Sequence, residues 1–170
     1  MDHEIHSFIK RKLKGVGDVW FSYFMMSKLS KKQLHTVSNY PETWVGEYLR
    51  KEMFLHDPII VSSLARITPF SWDDSDLVTL RAKSRDVFSS SVQYDISSGY
   101  TFVLHDHDNN LATLSIANHL EDDNFEKCIK NHENDLQMLL VNVHEKVIAY
   151  QQAVKNQAIP NKPQDAGLST

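Results

Sequence analysis

The chain has 170 residues, room for one domain or a domain plus a stub, and folding at that size buries roughly 70% of the surface the unfolded chain exposes. Hydrophobic residues make up 41% and charged residues 24%, which excludes a collagen-like or largely disordered chain, and the net charge of −4 argues against nucleic-acid binding by this segment alone. No stretch approaches the roughly 20 apolar residues of a membrane span, and the N-terminus lacks the plan of a signal peptide. The single cysteine, Cys128, precludes an internal disulfide, so a cytoplasmic setting is the simplest expectation.

Charge is unevenly spread. Residues 1–35 hold seven Lys or Arg against three acids, +4, leaving −8 for the remainder. Ile5, Phe8, Ile9 and Leu13 recur at helical spacing and predict a helix over residues 2–14, whose basic cluster Lys10, Arg11, Lys12 and Lys14 reads as a solvated face. Val19 to Ser27 is apolar on both alternating faces and predicts a strand covered on both sides, with residues 34–38 as its hairpin partner. Pro41 opens a helix to about Arg50 that places Trp44 and Tyr48 on one face, and Asp57-Pro58 opens a second through Leu64. An acidic loop at residues 73–76 precedes a helix around residues 80–93.

Gly99 to His105, a turn through Asn110, and Leu111 to Ala117 form the clearest hairpin. Its second strand carries the small polar residues Thr113 and Ser115 where a core wants bulk, so the gap is filled by a neighbour or kept for a ligand. From Glu121 about 30 residues are helical in pattern. Phe125, Ile129, His132, Leu136, Leu139, Val143, Val147 and Tyr150 advance by threes and fours, close to a heptad seam. A helix of that length spans roughly 45 Å, so part of its stripe is expected to meet another chain. The tail, interrupted by Pro160 and Pro163, reads as a linker. The sum is an α+β domain, a central antiparallel sheet with helices on both faces and a long C-terminal helix.

Enzyme readings are weak. His105-Asp106-His107-Asp108 resembles a metal site, but Leu111 and Ala117 stand where a calcium loop starting at Asp106 needs Gly and Glu, so a polar turn explains it better. Cys128 and His132 lack a third orienting group, and Gly15-Val16-Gly17 is too short for a phosphate loop. No catalytic residue, metal or cofactor is expected. More informative are Tyr40, Trp44, Tyr48, Asp57 and Trp72. Singly, Trp44 and Tyr48 read equally as core aromatics, Asp57 as a helix N-cap and Trp72 as cover for a sheet edge. Together they offer phenol and indole donors, a carboxylate acceptor and flat apolar walls, suited to a small amphiphile bearing an amide and carbonyls.

At these residues the sequence resembles the autoinducer-binding domain of LuxR-type quorum-sensing transcription regulators. The pattern W-x3-Y-x8-D-P-x13-W is met by Trp44, Tyr48, Asp57-Pro58 and Trp72, and it continues through Gly99 and Ser115. The segments SNYPETW, DPIIVSSLARITPFSWDD and GYTFVLHDHDNNLATLS are most similar to the enterobacterial EsaR, ExpR and YenR group. The resemblance implies an α-β-α sandwich that binds an N-acyl-homoserine lactone between the sheet and one helical layer. It implies that Trp44 donates to the lactone carbonyl and that Asp57 accepts from the amide N–H. Tyr40 and Ser115 would bind the acyl carbonyl, with Tyr48 and Trp72 flanking the ring. Phe54, Ile59, Phe70, Phe88, Val92, Tyr100 and Phe102 are candidates for the acyl-chain wall. Residues 1–155 would be the sensing domain and 156–170 a linker towards a helix-turn-helix domain absent from this chain, through which alone DNA would be bound. A homodimer, in part through the helix 121–154, is expected, and no membrane contact. The alternative is a sensor of the same fold that has lost or changed its ligand and acts through dimerisation.

Overall fold

The structure, a computed structural model, describes residues 1–83 and 85–158. Five strands form one sheet: β1 (Val19–Ser27), β2 (Leu34–Ser38), β3 (Phe70–Ser71), β4 (Gly99–His105) and β5 (Asn110–Asn118). Their spatial order is β2-β1-β5-β4-β3, every neighbouring pair antiparallel, so β5 is the middle strand and β1, paired on both edges, is interior. The helices are α1 (Asp2–Lys12), α2 (Glu42–Arg50), α3 (Pro58–Leu64), α4 (Ser75–Lys83), α5 (Arg85–Val92), α6 (Phe125–Asn131) and α7 (Glu133–Ala158).

Strand alternation sends side chains to two cores. Phe21, Tyr23 and Met25 of β1, Tyr100 and Phe102 of β4, and Leu114 and Ile116 of β5 meet α1, α6 and α7 on one face. Phe24, Met26, Val103 and Leu111 point the other way, toward Trp44, Phe54, Ile60, Leu77 and Val87 from the α2–α5 side. The expected sandwich is therefore present, with α1, α6 and α7 as one outer layer and α2–α5 as the other. The basic residues at the end of α1 are exposed, as a solvated face requires; Arg11, Lys12 and Lys146 of α7 lie 5.7, 5.7 and 5.1 Å from the Phe8 ring centre.

Several helix boundaries differ from the sequence reading. The helix expected around residues 80–93 is two, α4 and α5, and α4 already begins inside the acidic segment at Ser75. The helix expected from Glu121 begins at Phe125, because Glu121 takes a left-handed φ of 50° and Asn118, Asp122 and their neighbours close local side-chain turns. It is then divided at His132, whose ring Nδ1 donates to the Cys128 carbonyl at 2.8 Å. The heptad-like stripe is corrected as well. Phe125, Ile129, Leu136, Leu139, Val143 and Val147 are buried in the chain's own core, leaving Tyr150 half exposed. Helix α7 runs to Ala158, three residues past the expected boundary at 155, and residues 159–170 of the expected linker lie outside the described residues.

Candidate ligand-binding site

The second core is incomplete where the sheet offers hydroxyls instead of bulk. Register places Ser22 opposite both Ser38 and Ser115, and Phe24 opposite Thr36 and Thr113. Ser22, Thr36, Thr113 and Ser115 thus pave one patch of the sheet face, and above it lies a cavity with about 80 Å³ of space open to the centre of a water molecule. Its walls come from α2 (Trp44, Val45, Tyr48, Leu49), α3 (Asp57 at its start, then Ile59 and Ile60), Trp72, and Val87, Ser91 and Ile96 of the α5 region, with Tyr40 ahead of α2.

Asp57 organises the polar end. Proline at the first position of α3 forgoes its own N–H, and Asp57 Oδ1 accepts the Ile59 N–H at 2.9 Å, so the carboxylate caps the helix. Its second oxygen accepts from the Tyr48 hydroxyl at 2.6 Å, one helical turn beyond Trp44. One side chain thus caps α3 with one oxygen and lines the cavity with its other oxygen bonded to Tyr48. Burial raises the Asp57 pKa above the ordinary carboxylate value, against the lowering effect of the Tyr48 and Ile59 hydrogen bonds and nearby His56. Burial, reinforced by the Asp57 charge, likewise pushes the Tyr40 and Tyr48 hydroxyls well above their usual range, keeping both phenols protonated as donors. Trp44 is buried with its ring centre 5.7 Å from those of Tyr48 and Tyr94.

Trp72 closes the opposite end. It is 2% exposed and lies against Gly99, where an added Cβ would come within 2.9 Å of the indole and 2.7 Å of the Ile116 carbonyl oxygen. Glycine is needed here for close approach. The Trp72 indole N–H donates to Thr101 Oγ1 at 2.9 Å, and Thr101 Oγ1 is 2.8 Å from Ser115 Oγ.

Tyr40, Trp44, Tyr48, Asp57, Trp72 and Ser115, scattered over residues 40–115, line this one cavity, and Ile59 joins them. Phe54, Phe70, Val92, Tyr100 and Phe102, also candidates for the acyl wall, are not among its lining residues. Phe54 packs behind the wall, its ring centre 6.4 Å from Tyr48 and 6.1 Å from Phe24. Phe70 is buried under the Arg66 guanidinium, which is 4.7 Å from its ring centre and bound to Asp74 at 2.7 Å. Val92 is half exposed. Tyr100 and Phe102 belong to the other core, because in β4 the alternate residues Gly99, Thr101, Val103 and His105 face the α2–α5 side; their place in the wall is corrected. The Phe88 side chain lies outside the described residues. Sequence reading missed Ser22, Phe24 and Thr36 on the floor and Val45, Leu49, Ile60, Val87, Ser91 and Ile96 in the walls. Alternation along β1 could have found Ser22 and Phe24 once β5 was known to be their neighbour.

Beyond His105, the last residue of β4, residues 106–109 form a polar turn. Asp106 accepts the N–H groups of Asp108 and Asn110 and the Asn110 amide, and it binds His144 Nε2 at 2.7 Å. His105 donates through Nε2 to the Arg66 carbonyl at 2.7 Å, near the end of α3. Among the described residues no group of three or more His, Cys, Asp or Glu is placed to hold a metal, and no helix is long and apolar enough to cross a membrane. Cys128 Sγ sits 3.8 Å from His132 Nδ1 and 3.5 Å from the Val16 carbonyl, so it packs from α6 against the turn that follows α1.

The autoinducer binding domain family model matches residues 2–147. The chain belongs to the autoinducer-binding domain family. It is 81% identical over 160 residues to the transcriptional activator protein CarR of Pectobacterium carotovorum subsp. carotovorum, covering 94% of this chain and 66% of CarR. It is 40% identical over 167 residues to ExpR of Dickeya dadantii, covering 96% of this chain and 66% of that protein. The chain thus spans slightly less than two thirds of the length of these relatives. They are LuxR-family transcriptional activators rather than enzymes. The fold is shared with SdiA in complex with octanoyl-rac-glycerol, at TM-score 0.68 and 16% identity over 86% of this chain and 60% of that one. It is also shared with the N-acylhomoserine lactone dependent factor CepR2 of Burkholderia cenocepacia, at TM-score 0.57 and 15% identity over 85% and 93%.

Proposed function

We propose that this autoinducer-binding domain senses an N-acyl-homoserine lactone and couples its occupancy to DNA binding by the regulator to which such a domain belongs. The observation that carries the reading is the Asp57–Tyr48 pair inside a cavity walled by Tyr40, Trp44, Trp72 and aliphatic side chains above a floor of Ser and Thr hydroxyls. A carboxylate there has capacity for a third hydrogen bond beside those from Tyr48 and Ile59, and an amide N–H satisfies it with charge-assisted strength. Trp44 and Tyr40 supply donors for carbonyl oxygens, Ser115 reaches from the floor, and Tyr48 and Trp72 flank the lactone ring. The apolar lining of Ile59, Ile60, Leu49 and Val87 suits an acyl chain. Binding needs no bond to be made or broken, so the ligand is a signal and not a substrate, and the setting is cytoplasmic.

Dimerisation is the second part of the proposal. It is supported by apolar side chains that α7 leaves half exposed, Met138, Tyr150 and Val154. The ligand reading is tested by the melting temperature of the protein against a panel of lactones of different acyl length, because a ligand that prefers the native state stabilises it by mass action.

A further inference from the structure

Thr101 is fully buried and is not part of the cavity wall, yet its hydroxyl stands between two groups that are. An indole N–H can only donate, so the 2.9 Å contact from Trp72 makes Thr101 Oγ1 an acceptor on that side. The Thr101 proton then needs an acceptor of its own. Ser115 Oγ, its register partner on β5, lies 2.8 Å away, and a buried hydroxyl with no acceptor carries an unrecovered desolvation cost. With Thr101 donating to it, Ser115 Oγ is occupied as an acceptor on the side of the sheet. Its own proton is left to turn toward the cavity that Ser115 lines.

We infer that Thr101 is a positioning residue that fixes Ser115 as a hydrogen-bond donor toward the cavity, so that the site selects ligands presenting an acceptor oxygen at that point. The direction runs from the Trp72 N–H through the Thr101 hydroxyl to the Ser115 hydroxyl and on to the ligand. Gly99 secures its upstream end, since any side chain there would displace the Trp72 ring. The inference rests on the lactone reading for its probe, in which the acceptor is the acyl carbonyl.

The experiment titrates the wild type, Thr101→Val, Thr101→Ser and Ser115→Ala with an N-acyl-homoserine lactone and with its thioamide analogue, whose sulfur is the weaker acceptor. The wild type is expected to favour the carbonyl ligand. Thr101→Val, of nearly the same shape, is expected to lose about tenfold in affinity for it and to narrow the preference over the thioamide, as the loss of one directed hydrogen bond implies. Thr101→Ser should restore both, and Ser115→Ala should erase the preference on its own, which keeps the test alive if Thr101→Val fails to fold. Wild-type affinity and preference in Thr101→Val, or an unchanged preference in Ser115→Ala, would overturn the inference alone. Failure of the wild type to bind either compound would overturn the lactone reading with it.

Discussion

Asp57 serves two ends at once: Oδ1 holds the first turn of α3 and Oδ2 meets the Tyr48 hydroxyl inside the cavity. Asparagine caps a helix nearly as well as aspartate, so Asp57→Asn should leave the fold standing. It removes the charge and presents an amide where a lactone N–H needs an acceptor, and binding is expected to weaken by about 1–3 kcal/mol in a calorimetric titration. The raised pKa of Asp57 adds a pH dependence whose sign differs for the two states. In the empty domain the folded form holds this proton more tightly than the unfolded one, so this residue's contribution favours folding at low pH and is lost as pH rises through its raised value. Lactone binding uses the ionised carboxylate, so affinity should fall as pH drops from neutrality through that same value, already above the ordinary carboxylate range. Asp57→Asn should flatten this profile; an equally steep acid loss in the variant would assign it to another group.

At the level of elements, the β4–β5 hairpin carries both the floor and the packing of Trp72. Gly99→Ala would force a methyl against the Ile116 carbonyl oxygen and the indole, a clash in which one partner is backbone. Overpacking of this kind typically costs about 1–3 kcal/mol, and chemical denaturation should show it together with a change in tryptophan fluorescence. An unchanged midpoint and spectrum would mean that Trp72 has room to move. The hairpin, β1, β2 and the two proline-led helices were legible because alternation and proline placement are local signals. The acyl wall was not. Tyr100 and Phe102 are as apolar as a ligand wall should be, but whether a strand residue faces one core or the other depends on register with β5, which only tertiary structure supplies. The division of α6 from α7 was hidden for a similar reason: the apolar rhythm passes through His132 unbroken, while the break lies in backbone turns around it. That Tyr40, Trp44, Tyr48, Asp57, Trp72 and Ser115 line one cavity was legible because their motif spacing is distinctive, although that Asp57 both caps α3 and accepts from Tyr48 emerged only from its two bonds.

Across the whole molecule, α7 is largely committed to its own sheet, with Leu136, Leu139, Leu140, Val143 and Val147 buried. A dimer through α7 would therefore use the apolar side chains it leaves exposed, Met138, Tyr150 and Val154, of which Tyr150 alone belongs to the heptad-like seam the sequence suggests. Light scattering should return twice the chain mass, and Val154→Glu with Met138→Glu should lower it while the far-ultraviolet spectrum stays native. A strictly monomeric mass at high concentration would remove dimerisation from the account. The two cores also differ: the α1, α6 and α7 side holds the longer run of buried apolar side chains, and the α2–α5 side leaves a cavity beside Asp57.

That space is the centre of the account, and thermal unfolding with a panel of N-acyl-homoserine lactones tests it most directly. A ligand at one hundred times its dissociation constant stabilises the native state by about 2.7 kcal/mol. For a chain of this size each kcal/mol is worth roughly 2–4 °C, so the matching acyl length should raise the melting temperature by roughly 5–10 °C, and the rise should shrink in Asp57→Asn. A melting temperature that no acyl length moves would contradict the account.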